Sequence, residues 1–230
     1  MRHLPGTLAA LLLFAPAALA CPLQTDPDRV LGFGAGSPVS AIQACADAGF
    51  DFSAPLPDGR VPFREIVVTT SHPDAVELML QAGADPDTAD RYGSPAFVDA
   101  INFAQDREDP DFLRMTDILG AHGADFSQPD SNGDLALSKA AGGGDNQLMA
   151  ILLKHGADPN GLNTYRRTPL FETVFGICNS EGGAMLIDAG ATLSPMPADQ
   201  VSRLFDEAAK SCSGTAAGQA YIDFLKGLRP

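Results

Sequence analysis

The chain has 230 residues, 45% of them hydrophobic and 19% charged, so it can bury a core and does not have a disordered composition. Tryptophan is absent and aromatic residues make up only 7%, which disfavours a β-sandwich and suits small, closely packed helices. A formal net charge of −14 repels phosphates and anionic membrane surfaces, so no nucleic-acid partner is expected.

The first element is a leader. Arg2 opens a basic start, an apolar run follows from Leu4 to Leu19, and the small residues Ala18 and Ala20 precede a cleavage point. This is the pattern of a secretory signal peptide over residues 1–20. Pro5, Gly6 and Pro16 interrupt the run and no stop-transfer charges follow, which disfavours a membrane anchor. No other stretch approaches the ~20 apolar residues that span a bilayer. The expected location is therefore the periplasm or the exterior, without membrane insertion after cleavage. Cleavage would start the chain at Cys21, which raises a lipid anchor there as an alternative. A lipobox places Leu three residues and a small residue two residues before the cysteine, and Ala18 and Leu19 reverse that order.

Next comes self-similarity. Gly49, Gly83, Gly123, Gly156 and Gly190 follow one another at intervals of 34, 40, 33 and 34 residues. Each of the last four ends an apolar helical pattern (Ala75–Gln81, Arg114–His122, Gln147–His155, Gly183–Ala189) and is placed to supply a left-handed helix cap. About a dozen residues after a capping glycine another helix opens, near Arg60, Gly93, Gly133 and Arg167, with Pro62, Pro95 and Pro169 in the first turn. A period of about 33 residues is that of a helix-turn-helix repeat.

Thr168-Pro169-Leu170-Phe171 and the segment HGADPN (155–160) resemble the opening and the ending of an ankyrin repeat, over roughly residues 38–210. With the leader, the resemblance is to the exported bacterial, periplasmic type. It implies an all-α ankyrin-repeat solenoid of helix-turn-helix units with short hairpin loops and helical caps. The expected division is a signal peptide (1–20), an N-terminal segment with a capping half repeat (21–56), four ankyrin-like repeats (57–194) and a C-terminal helical cap (195–230). No T-P-L-H box is complete. Val61-Pro62-Phe63-Arg64 and Leu135-Ala136-Leu137-Ser138 depart from it most, so looser repeats are expected. The 40-residue interval holds an insertion, read as a solvated extension at 105–112.

At the back, residues 202–212 align with 168–178, so Leu204 stands for Leu170, Phe205 for Phe171 and Cys212 for Cys178. The last helix, 218–228, is expected to close the stack with Tyr221, Phe224, Leu225 and Leu228 on one side. An exported chain meets oxidising conditions, and four cysteines make an even set. Three pairings are arithmetically open. Cys178–Cys212 with Cys21–Cys45 is expected, because it staples each end locally; a buried free thiol at Cys45 is the alternative.

No catalytic or metal site is expected, and no cofactor. His72, His122 and His155 fall at turns or beside capping glycines, with no ligand-like spacing around them. The glycine run at 140–146 lacks the strand and the Lys-Ser/Thr of a phosphate loop. Asp85, Asp125 and Asp158 recur once per repeat and are read as serving the hairpins. The chain is thus expected to be a binding module for another protein, not an enzyme. A dedicated inhibitor, an immunity-type partner or a supporting factor of an exported enzyme is the alternative.

The resemblance implies two binding surfaces, the hairpin tips and the open side of the first helices. The tips contain Arg91, Tyr92, Tyr165 and Arg166. The open position after each box is read as Glu65, Val98, Lys139, Glu172 and Asp206, and its acidic majority suits a basic partner segment.

Overall fold

A computed structural model describes residues 21–31, 38–69, 72–104, 106–175 and 177–228. The expected signal peptide lies outside them. The described residues form helices and no strand, in this order: α1 (Pro22–Thr25), α2 (Pro27–Leu31), α3 (Val39–Asp47), α4 (Pro62–Thr69), α5 (Pro73–Gln81), α6 (Ala96–Phe103), α7 (Pro110–Ala121), α8 (Ala136–Gly143), α9 (Asn146–Lys154), α10 (Pro169–Glu172), α11 (Ser180–Asp188), α12 (Ala198–Ser211) and α13 (Ala216–Gly227). Successive helices pair into hairpins that stack in two rows. One row runs α3, α5, α7, α9, α11 and α13, and the other runs α4, α6, α8 and α10, with α12 packed on α13. This is an all-α, ankyrin-like helical repeat.

The local chemistry recurs with the period. Gly49, Gly83, Gly123, Gly156 and Gly190 all have φ between 71° and 94°, the left-handed cap that an L side chain resists. Two residues on, the side chains of Asp51, Asp85, Asp125 and Asp158 each accept the backbone N–H two positions later, at 2.8–3.0 Å. The backbone N–H groups of Asp85, Asp125, Asp158 and Thr192 in turn donate to Ser53, Asp87, Ser127 and Asn160 of the preceding unit. The recurring aspartates therefore shape turns, and the same turns clasp neighbour to neighbour.

The core is continuous along the stack. Phe63, Ile66, Met79, Ile101, Met115, Leu119, Leu137, Leu152, Leu170, Phe171 and Leu186 are all at most 1% exposed. Each such side chain contributes roughly 1.5–3 kcal/mol by leaving water. Phe171, where the box would have His, is one of these core residues.

Three features differ from the expectations. The insertion is not a solvated loop over 105–112: α6 ends at Phe103 and α7 begins at Pro110, so 110–112 are helical. Asp109 caps α7 by accepting from the N–H groups of Asp111 and Phe112, and α7 has 12 residues against 9 in α5, α9 and α11. The loop is also tied down, since the Arg107 guanidinium donates to the Ile101 carbonyl at 3.1 Å and to Asp145 at 2.8 Å. In α13, Phe224 is 47% exposed, and Ile222 joins Tyr221 and Leu225 in the interior instead. Finally, α10 has 4 residues where the aligned α12 has 14, although Leu204 and Phe205 are buried as Leu170 and Phe171 are.

That early end of α10 has a consequence for the cysteines. Helix axes pack ~8–10 Å apart, too far for a disulfide. The irregular chain after Glu172 brings the Cys178 Cα to 5.1 Å from that of Cys212. At the other end Cys21 and Cys45 have Cα atoms 4.3 Å apart and are 1% and 0% exposed. Both pairs stand at disulfide distance. Beside the rear pair, the Tyr221 hydroxyl donates to buried Thr173 at 2.7 Å, and burial pushes its pKa up to about 12.

The close approach of α7 and α9 yields a prediction. A Cβ on Gly120 would run into the imidazole of His155, whose Nε2 is 2.7 Å from Asp117. Gly120→Ala should destabilise the fold by about 1–3 kcal/mol in urea unfolding, despite a helix-propensity gain near 1 kcal/mol. A variant as stable as the parent would show that α7 and α9 tolerate a wider separation within their row.

Candidate partner-binding face

Each hairpin tip is built by one polar side chain. Asp90 accepts from the N–H groups of Tyr92 and Ser94, Asp130 from Asn132 and Asp134, and Asn163 from Tyr165 and Arg167, at 2.8–3.1 Å. The tips thereby project Tyr92, 73% exposed with the Arg91 guanidinium 5.8 Å from its ring centre, and Tyr165, 66% exposed. Arg166 is exposed beside Tyr165 with φ 57°, where the other tips have Gly59, Gly93 and Gly133.

The same hydrogen bonds fix the register of the first helices. Asp90 N–H to Ser94 carbonyl matches Asp130 to Asp134 and Asn163 to Arg167, so Ser94, Asp134 and Arg167 are equivalent. Pro95 is therefore the residue before α6, not its first residue. Five positions beyond Ser94, Asp134 and Arg167 lie Asp99, Lys139 and Glu172, with Glu65 matching from Arg60. Val98 does not belong to this row; it is 1% exposed and part of the core. With Asp99 at this position the row is more acidic. The row is also half-buried rather than open at Glu65, Lys139 and Glu172.

Its charges are engaged unevenly. Asp99 pairs with Arg64 at 2.5 Å and accepts from the Ser94 hydroxyl at 2.8 Å. Lys139 lies 3.1 Å from Asp130 and 3.2 Å from Asp134. Burial pushes the Asp130 carboxyl up, but donation from Asp134 N–H, Lys139 and Asn132 N–H outweighs it and holds the carboxyl below its ordinary value. Glu172 has Asn163 Nδ2 at 3.2 Å, and burial raises its pKa.

Between α8 and α10 the face sinks into a hollow of about 280 Å³ whose walls include Ser138, Gly142, Tyr165, Arg167, Glu172 and Phe175. Small residues on α8 leave the space, and aromatic groups beyond α10 raise its far wall. The Arg167 guanidinium is caged there, 4.3 Å from the ring centre of Phe175, 4.6 Å from Phe171 and 5.4 Å from Tyr165. Sequence reasoning placed Tyr165, Lys139 and Glu172 on this face but missed Arg167 and Phe175. Their signal was only an arginine four and eight residues before phenylalanines, and the early end of α10 at Glu172 leaves Arg167 and Phe175 on either side of that helix.

Among the described residues no group of three His, Cys, Asp or Glu side chains could hold a metal ion. His155 and Lys154 both bond Asp117 across neighbouring units, which is a packing contact. The fold and this face define an ankyrin-like repeat with a groove and tips. No protein-family model matches the chain. Over 106 residues it is 32% identical to the B-cell lymphoma 3 protein homolog of Mus musculus, an ankyrin-repeat protein, covering 46% of this chain and 22% of that one. The chain thus spans about a fifth of that relative's length. The similarity suggests the ankyrin-repeat family and a protein-interaction module.

The buried carboxyl of Glu172 gives a pH signature. Its raised pKa means that the folded chain holds this proton more tightly, so its contribution to stability falls as pH rises through the carboxylate range. Glu172→Gln should therefore be the more stable protein at pH 7, by no more than about 1 kcal/mol for one half-buried group. The advantage should vanish near pH 3 in denaturant titrations, whereas a constant advantage at every pH would rule burial out as the cause.

Proposed function

We propose that this is a protein-interaction module of the periplasm or exterior, without catalytic activity, that holds a partner segment against its tips and groove. The observation that carries this reading is the pair of hairpin tips that expose Tyr92 and Tyr165, each beside an arginine, with Tyr165 also walling a hollow in the groove. Tyrosine and arginine are frequent binding anchors because they offer large, rigid area with polar ends. The row Glu65, Asp99, Glu172 and Asp206 favours a basic segment, and the net charge of −14 favours its approach. The leader pattern and the two cysteine pairs support the exported location. Among the described residues no helix is long and apolar enough to cross a membrane. The buried Cys21 sulfur, facing Cys45, argues against a lipid anchor on it.

Two measurements test this. Affinity capture from an envelope fraction should recover a protein partner with the parent chain and lose most of it with Tyr92→Ala/Tyr165→Ala, whose fold should be unchanged by circular dichroism. Recovery of a small molecule alone, or of the same partner at the same yield by the double variant, would overturn the reading. Thiol titration of the denatured exported protein should find no free thiol before reduction and four after it. Reduction should then lower stability by roughly 3 kcal/mol per crosslink. Free thiols in the unreduced protein would contradict the assigned compartment.

A further inference from the structure

Arginine is seldom buried without a partner. Arg60, Arg64, Arg107 and Arg114 each lie within ion-pair distance of a carboxylate. Arg167 is only 9% exposed, and no carboxylate among the described residues stands within 4.0 Å of it. Its Nε–H has no hydrogen-bond partner, and neither has the hydroxyl of Ser138, a residue 4% exposed. Both residues wall the same hollow. The aromatic cage fixes the guanidinium plane but offers no acceptor to its N–H groups. Lys139, on the opposite wall, already has Asp130 and Asp134.

Arg166, next in sequence and exposed, occupies a left-handed conformation that the other tips give to glycine. The charges around the hollow are mixed, Asp134 and Glu172 against Lys139 and Arg167, and the Arg167 cation favours ionised Glu172 without coming within ion-pair distance of it.

On the reading that this face holds a protein, we propose that the hollow receives the carboxylate of an aspartate or glutamate side chain from the partner. Arg167 is its planar counter-charge and Ser138 Oγ an additional donor. Asp134 and Glu172 share the hollow and oppose the incoming charge, which limits affinity; Lys139 offsets Asp134, and the Asn163 amide and the Arg167 cation partly offset Glu172. The segment recognised is then of mixed charge: one acidic residue opposite α8 and α10, with basic residues toward Glu65 and Asp206. A purely basic stretch would set a cation against Arg167 and be disfavoured.

The test uses the full exported chain and N-acetyl-glutamate N-methylamide as the probe, followed by NMR of the Arg167 Nε–H and the backbone amides around Ser138 and Gly142. Saturable shifts with a millimolar dissociation constant are expected. The glutamine and lysine analogues should leave these signals unmoved. Arg167→Gln should weaken binding at least tenfold. Gly142→Met should do the same by filling the hollow, and it should fold, because a Cβ at 142 meets only Glu172 atoms at 3.6 and 4.0 Å. Glu172→Gln should tighten binding. Equal shifts with the glutamine analogue, or unchanged binding by Gly142→Met, would overturn the proposal. Tighter binding of N-acetylglycine would also overturn it, in favour of a chain-terminal carboxylate. Capture of the same partner by the parent and by Arg167→Gln would sink the carboxylate site and leave the interaction reading standing. Titration of the hollow without any captured protein would do the reverse.

Discussion

A hairpin of two helices of 8 or 9 residues, such as α4 and α5, is amphipathic on both members and has only itself to cover the apolar side. Two such helices cannot enclose that surface, so each unit depends on the units before and after it. The rest of the architecture answers this dependence. The turn aspartates and the donors that reach back to Ser53, Asp87, Ser127 and Asn160 hold the units at one spacing. The glycine caps reverse the chain within two residues. At the two ends of the described stack, crosslinked segments cover the core: α1 and α2 at the front, α12 and α13 at the back.

The binding face follows from the same stacking, through exceptions to it. Most units fill the inner row with large side chains, as α4 does with Phe63 and Ile66. The first helix of the third unit, α8, carries Ser138, Gly142 and Gly143, and the hollow lies over the first two of these positions. The insertion addresses the other side of the same deficit, because Arg107 reaches over Gly143 to Asp145. One helix of small residues thus explains both an open recess and a tethered loop.

Most of the fold was legible because it rests on backbone requirements that few residues meet. A left-handed cap calls for glycine, and five glycines at near-constant intervals reveal the period, the helix ends and the hairpin pairing. What depended on a one-residue register was less secure. The proline of Gly93-Ser94-Pro95 looks like the box proline of Thr168-Pro169 but precedes its helix by one position, which moved Val98 into the core and Asp99 into the groove. The cysteines could be paired from alignment because one period separates Cys178 from Cys212. The short α10 that lets them meet left no mark in the pattern. Arg167 was hidden for a different reason. The lack of a partner for its Nε–H is a property of what surrounds it in space, and a sequence counts carboxylates without showing which come close enough to pair.

The two crosslinks also change how the array can come apart. A linear stack normally opens from its ends, where each unit has one neighbour instead of two. With Cys21 tied to Cys45 and Cys178 to Cys212, the last units cannot peel away freely, and opening must begin inside. The interior is not uniform: in the first-helix row α4 packs broadly on α6, and α8 on α10, but α6 and α8 meet over a narrow contact, while α7 and α9 pack closely across the same boundary. The bond from Arg107 to Asp145 also spans that boundary on the loop side. The first-helix row is thus thinnest one helix away from the groove's hollow, and there the second-helix row carries most of the contact between the two clamped ends.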